Sequence, residues 1–253
     1  MKTSLALLLA LVGQSSFAEP IPVRIDFFEG LAPKDTTSSE RFQKEYESTI
    51  STAKALLEKR LADCGYRLET KSIFFNATDG LEAMERAKSS SSDGAWLLVG
   101  PRRSNHYLLL AKGAGSTPTL STMASAKEVF DLGPLHRTMA PSNAQMAKIA
   151  AREARARSKK AATYLSVVSQ DCIACVDFAA SFDESAKANG LRKLKSFPIM
   201  GETPDLTAIA NEISSLKPEF ILLPNYSKVT AQAIARLRTV APKAFFVGGD
   251  GWG

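Results

Sequence analysis

The sequence predicts an α/β protein of two Rossmann-like lobes, each a parallel sheet flanked by helices, with a hinge between them. Two matching segments carry that prediction. Ala95-Trp96-Leu97-Leu98-Val99-Gly100 is an apolar run that ends in a polar loop over 101–105 and then an apolar, helix-like stretch. Phe220-Ile221-Leu222-Leu223 does the same before Pro224-Asn225-Tyr226-Ser227 and a helix over 229–238. Apolar runs of this length without alternation mark strands covered on both faces. A third observation is the alternation of strand and helix patterns along the whole chain, the order that produces a parallel sheet. In such sheets ligands collect at the loops after the strands' carboxyl ends.

Residues 23–28 read as the first strand. A long amphipathic helix over 40–64 follows, with Tyr46, Ile50, Ala53, Leu57 and Leu61 near helical spacing. Gly65 stops it, as glycine does just past a helix end. A strand over 67–75, a short helix over 79–87, the strand at 95–100, a helix over 107–112 and a strand over 117–121 complete a β-α-β-α-β-α-β set. The second half repeats the order. Pro141-Ser142-Asn143 opens a helix over 144–157, and a strand over 161–168 leads to a helix over 176–188 closed by Asn189-Gly190. After a strand over 194–198, Asp205 stands ready to cap a helix over 206–216. The strand at 220, the helix to 238 and a strand over 244–247 finish the series. The count puts a boundary near 137–142, with lobe 1 over 19–140 and lobe 2 over 141–253.

Lys2, the apolar stretch over 5–12 and the small residues in Ser16-Phe17-Ala18 read as a secretory signal cleaved after Ala18. The stretch is too short to span a bilayer, and no cysteine follows Ala18 to carry a lipid. The expected product is an exported chain that starts at Glu19. Removing 18 of 253 residues leaves 235, room for one large or two modest domains at roughly 100 to 200 residues each. Net charge is +6, or +5 without Lys2. Its one dense cluster, Arg152, Arg155, Arg157, Lys159 and Lys160, ends a predicted helix, where cations complement the carbonyl end of the dipole. No aromatic residue interleaves it, which argues against nucleic-acid binding.

Several stretches carry a family resemblance. They are Leu98-Val99-Gly100-Pro101 with Ser104, Pro118-Thr119-Leu120-Ser121 with Ala124-Ser125, and Met139-Ala140-Pro141-Ser142-Asn143-Ala144-Gln145. The last is the run 217–224 followed by Phe246-Val247-Gly248-Gly249-Asp250-Gly251. In this order and spacing the chain resembles the type I periplasmic solute-binding proteins, in the leucine/isoleucine/valine-binding branch that serves ABC importers. The resemblance implies an interlobe cleft that closes on an amino acid or similar small polar solute, a membrane permease as partner, a monomer, no catalysis and no cofactor. It also implies that the ligand carboxylate is held by backbone amides and hydroxyls of the first lobe, at Ser104 and the loop Ser121, Met123 and Ser125. Asp250 would hold the ammonium group and Tyr226 would line the side-chain pocket.

The chain departs from the family pattern in three places. The position expected to carry an aromatic wall corresponds to Ala174. Arg102 and Arg103 either favour an anionic ligand or are solvated, and the usual exposure of arginine favours the second. The chain ends at Gly253, where family members return to the first lobe, so that lobe's sheet is expected to be incomplete, with exposed apolar surface. These departures keep a second reading open: a ligand-sensing or degenerate interaction module of the same fold.

Other chemistry is weakly signalled. Cys172-Ile173-Ala174-Cys175 before a helix start is compatible with a redox pair, but without a thioredoxin-like context a structural disulfide is favoured in an oxidising compartment. Cys64 reads as a small buried apolar residue. His106 reads as lining the cleft or lying on the surface. Neither it nor His136 belongs to a metal-ligand pattern, and Ser104 with His106 lacks a nucleophile elbow. Gly248-Gly249-Asp250-Gly251 lacks nucleotide-loop spacing.

Overall fold

The computed structural model describes residues 19–31, 36–158 and 162–252; the expected signal over 1–18, Lys159 and Lys160 lie outside them. Nine strands alternate with helices among the described residues: β1 Ile21–Leu31, α1 Thr36–Ala62, β2 Tyr66–Asn76, α2 Gly80–Ser92, β3 Leu97–Val99, α3 Ser104–Ala114, β4 Thr119–Ser121, α4 Lys127–Phe130, β5 His136–Thr138, α5 Asn143–Arg157, β6 Thr163–Ser169, α6 Ile173–Ala188, β7 Arg192–Ile199, α7 Thr207–Leu216, β8 Phe220–Leu222, α8 Ser227–Val240 and β9 Phe245–Val247, with a 3₁₀ turn Asp250–Trp252. They form two sheets, ordered β2-β1-β3-β4-β5 and β7-β6-β8-β9. Every pairing in both is parallel.

The second sheet is covered on both faces, with period-two segregation of its side chains. Tyr164, Val168, Phe220 and Leu222 pack with Ala147 and Ala151 of α5 and Phe178 and Phe182 of α6. Leu165, Val167, Ile221 and Leu223 face the other way, onto Ala210 and Ile213 of α7 and Ala233 and Leu237 of α8. Burying each such large apolar side chain contributes roughly 1.5 to 3 kcal/mol. The first sheet is less even. Phe28, Ile73, Phe75 and Leu98 pack on Ala83 and Ala87 of α2 and Tyr107 and Leu110 of α3. On its opposite face Ile25, Phe27, Leu97, Val99 and Leu120 stay partly exposed. There α1 buries Ile50 and sets Tyr46 edge-on to Phe74 at 5.7 Å.

Three sequence expectations change. The residues expected to begin the boundary include a fifth strand, β5, hydrogen-bonded to β4. Its polar His136-Arg137-Thr138 carries no apolar signal because an edge strand needs none. The chain then passes between sheets over residues 139–142, and Ser142 with Gln145 forms a capping box that opens α5. Cys64 is exposed, since it lies in the tight turn after α1 where its amide bonds the Leu61 carbonyl. His106 is buried, 3% exposed, its ring edge-on to Phe75 at 5.3 Å; it occupies the α3 face that packs on the sheet, away from the cleft.

Candidate functional site

The loop after β3 is shaped by a glycine. Gly100 has φ of +90°, and a Cβ there would lie 2.2 Å from the Phe28 carbonyl oxygen on β1. Only glycine accepts both the left-handed backbone and that approach. The next peptide, Gly100–Pro101, is cis, and the Pro101 carbonyl accepts a hydrogen bond from the Ser121 hydroxyl at 2.9 Å. The loops after β3 and β4 are thereby clamped together, which brings Arg102, Arg103 and Ser104 beside residues 121–126.

Within this clamp the serine side chains satisfy the loop. The Ser121 hydroxyl oxygen accepts from the amides of Met123 (3.3 Å) and Ala124 (3.0 Å). That of Ser104 accepts from the amides of Ser125 (3.1 Å) and Ala126 (3.2 Å). Arg102 pairs with buried Glu29 at 3.1 Å and lies 4.8 Å over the Phe42 ring. Burial raises the Glu29 carboxyl pKa and outweighs the lowering by Arg102. Of the two arginines expected to be solvated, Arg102 is exposed but paired, while Arg103 is only partly exposed; both line the cavity described below.

The second sheet supplies the opposing rim. Fully buried Asn225 fixes the loop after β8, accepting from the Ser169 amide at 2.8 Å and donating to the Val167 carbonyl at 2.9 Å. Tyr226 follows it directly. The indole Nε1 of Trp252 donates to the Leu223 carbonyl at 2.7 Å and pins the turn that carries Asp250. None of these anchors has a sequence motif; a buried asparagine between strand and helix is legible only from its partners.

Between the rims lies a cavity of about 370 Å³. Arg102, Arg103, Ser104, Met123 and Ser125 line it from the first sheet's loops, and Ala174, Tyr226, Ser227, Asp250 and Gly251 from the second's. Six of the seven residues singled out by the resemblance thus converge on one space. Ser121 does not. It is fully buried, and its hydroxyl is spent on the Pro101 carbonyl and the loop amides, so it shapes the loop from behind. Tyr226 is the one aromatic among the described lining residues, alongside Ala174.

A direct contact crosses the cavity: the Arg103 guanidinium lies 4.9 Å over the Tyr226 ring, while Ser125 and Asp250 line it from opposite rims. Asp250 sits at the rim, and desolvation raises its carboxyl pKa above the ordinary aspartate value, outweighing the lowering by the polar groups beside it. Burial likewise raises the Tyr226 phenol. Behind Ala174, Cys172 and Cys175 are joined as a disulfide, and the Cys172 sulfur accepts from the Cys175 amide at the start of α6. Among the described residues no group of His, Cys, Asp and Glu is arranged to hold a metal ion, and no helix is long and apolar enough to cross a membrane.

No protein-family model matches the chain, and no curated protein matches it by sequence. Solved structures do. A leucine-binding protein from Thermotoga maritima superimposes with a TM-score of 0.75 at 15% identity, over 91% of this chain and 64% of that one. The fold is that of a type I periplasmic binding protein. A second periplasmic-binding-fold neighbour is a branched-chain amino acid transporter substrate-binding protein from Streptococcus pneumoniae, solved with isoleucine. It has a TM-score of 0.73 and 16% identity, over 91% of this chain and 65% of that one. A third is an ABC-transporter solute-binding protein from Rhodopseudomonas palustris solved with 3,4-dihydroxybenzoic acid, with a TM-score of 0.72 and 15% identity, over 91% and 62%. The chain spans less than two-thirds of the length of each.

Proposed function

We propose that this chain is the exported substrate-binding component of an ABC importer, and that it captures an amino acid or similar small polar solute between its two sheets. The observation that carries this reading is the cavity itself. Loops at the carboxyl ends of two separate parallel sheets face each other around about 370 Å³, within the range of roughly 300 to 1,000 Å³ usual for small-molecule sites. Opposite charges, Arg103 and Asp250, line it. The neighbours named above include proteins solved with isoleucine and with a dihydroxybenzoate.

In this reading residues 19–140 and 141–253 move as two bodies about residues 139–142. Ligand contacts with both rims favour the closed arrangement, and affinity follows from that difference. Ser104, Met123 and Ser125 on one side, and Ala174, Tyr226 and Asp250 on the other, contact the ligand. The chain acts in the periplasm after cleavage behind Ala18, as a monomer, and delivers its ligand to a membrane permease without catalysing a reaction. The test is a calorimetric and thermal-shift screen of the purified 19–253 chain against the twenty common L-amino acids, benzoate and 4-hydroxybenzoate. One class is expected to bind saturably; silence from all of them would remove solute capture and leave the interaction-module reading.

A further inference from the structure

Hydrogen bonds already made within the cleft restrict what can meet an anion there. The amides of Met123, Ala124, Ser125 and Ala126 donate to the Ser121 and Ser104 hydroxyl oxygens. The loop therefore offers none of these four amides to a ligand carboxylate. Arg102 is held by Glu29. Arg103 has no carboxylate within ion-pairing distance among the described residues. Two acids, Asp171 and Glu202, share a smaller adjoining cavity with it. Both are engaged elsewhere, Asp171 with the Gly201 amide at 3.0 Å and Glu202 with Lys228 at 2.9 Å.

One uncommitted cation, Arg103, and one carboxylate, Asp250, consequently line the same cavity. That arrangement complements a zwitterion of matching size. A guanidinium presents parallel N–H donors that match a carboxylate in two-point fashion, and stacking on the Tyr226 ring restrains its plane. Resting on the solute-capture reading above, we infer that Arg103 is the residue that binds the ligand's α-carboxylate, in place of the loop amides, with Asp250 receiving the ammonium group. The ligand class that follows is an α-amino acid bearing a free carboxylate; an esterified or amidated analogue is excluded.

The experiment is calorimetry on the wild-type chain and Arg103→Gln with the twenty common L-amino acids, followed by the tightest of them and its C-terminal amide. Arg103→Gln should weaken the amino acid about 100-fold, while the amide binds both proteins poorly and within threefold of each other. Three outcomes overturn the assignment while leaving solute capture intact: an unchanged affinity in Arg103→Gln, an amide that binds wild type as tightly as the acid, or a loss confined to aspartate and glutamate. No binding of any amino acid to wild type would instead remove an amino acid as the captured solute, and this inference with it. Should Arg103→Gln fail to melt cooperatively, Arg103→Lys keeps the charge and loses the two-point geometry. It should bind about tenfold more weakly, and wild-type affinity there counts equally against the assignment.

Discussion

The backbone amide of Lys127 donates to the Asp177 carboxylate at 2.9 Å, joining α4 of the first half to α6 of the second. The same carboxylate oxygen accepts from the Asn143 side chain at 2.9 Å, and that side chain also donates to the Ala174 carbonyl at 2.9 Å. One oxygen therefore holds together the helices that flank the crossover at 139–142, and with them the Ala174 wall of the cavity. Asp177→Ala should cost about 1 to 3 kcal/mol in urea denaturation, because it leaves the buried Asn143 amide short of an acceptor. Asp177→Asn retains an oxygen and should lose less. Equal stability of all three proteins would show that the link is incidental.

Asn225 predicts a larger effect from a single side chain. Its carbonyl oxygen and amino group are both used, with no exposure to water. Asn225→Ala strands the Ser169 amide and the Val167 carbonyl, at about 3 kcal/mol in total. Because Tyr226 is the next residue, ligand affinity should fall together with stability, as read by thermal melts and calorimetry on one preparation.

At Gly100 even a methyl group is excluded. Gly100→Ala places a carbon 2.2 Å from the Phe28 carbonyl oxygen at a φ of +90°. The expected loss is about 3 kcal/mol or more. A melting temperature within a degree or two of wild type would mean that the β1 and β3 backbones separate more readily than the packing of Phe28 and Leu98 implies.

His106 sets a pH dependence. Burial lowers its pKa from 6.5 to about 4, and nearby Arg103 acts in the same direction. The folded state favours the neutral ring, so this contribution is complete above pH 6.5. Between there and about pH 4 the unfolded chain binds the extra proton, and stability falls as pH falls. The loss approaches about 3 kcal/mol at the acid end. In urea titrations at pH 7, 5.5 and 4.5, His106→Gln should show a flatter decline than wild type; parallel declines would assign the acid sensitivity to other groups.

Periodicity and punctuation were enough to determine most of the strand–helix order, short of α4 and the polar edge strand β5, the pairing of apolar runs with loops at 101–105 and 224–227, and the helix start at Ser142. Asp205 does accept from the Thr207 amide, but Leu206 is the N-cap of α7. These signals are local, since apolar spacing and capping act within a few residues. The resemblance likewise pointed to six residues that line one cavity. What the sequence could not decide depends on atoms distant along the chain. It could not tell that Ser121 bonds a carbonyl twenty residues away, that Arg102 meets Glu29 while Arg103 crosses to Tyr226, or that His106 turns inward. Two adjacent arginines read alike and both line the cleft, and only the folding of β1 and of the β8 loop to either side of them gives one a carboxylate partner and stacks the other on an aromatic ring.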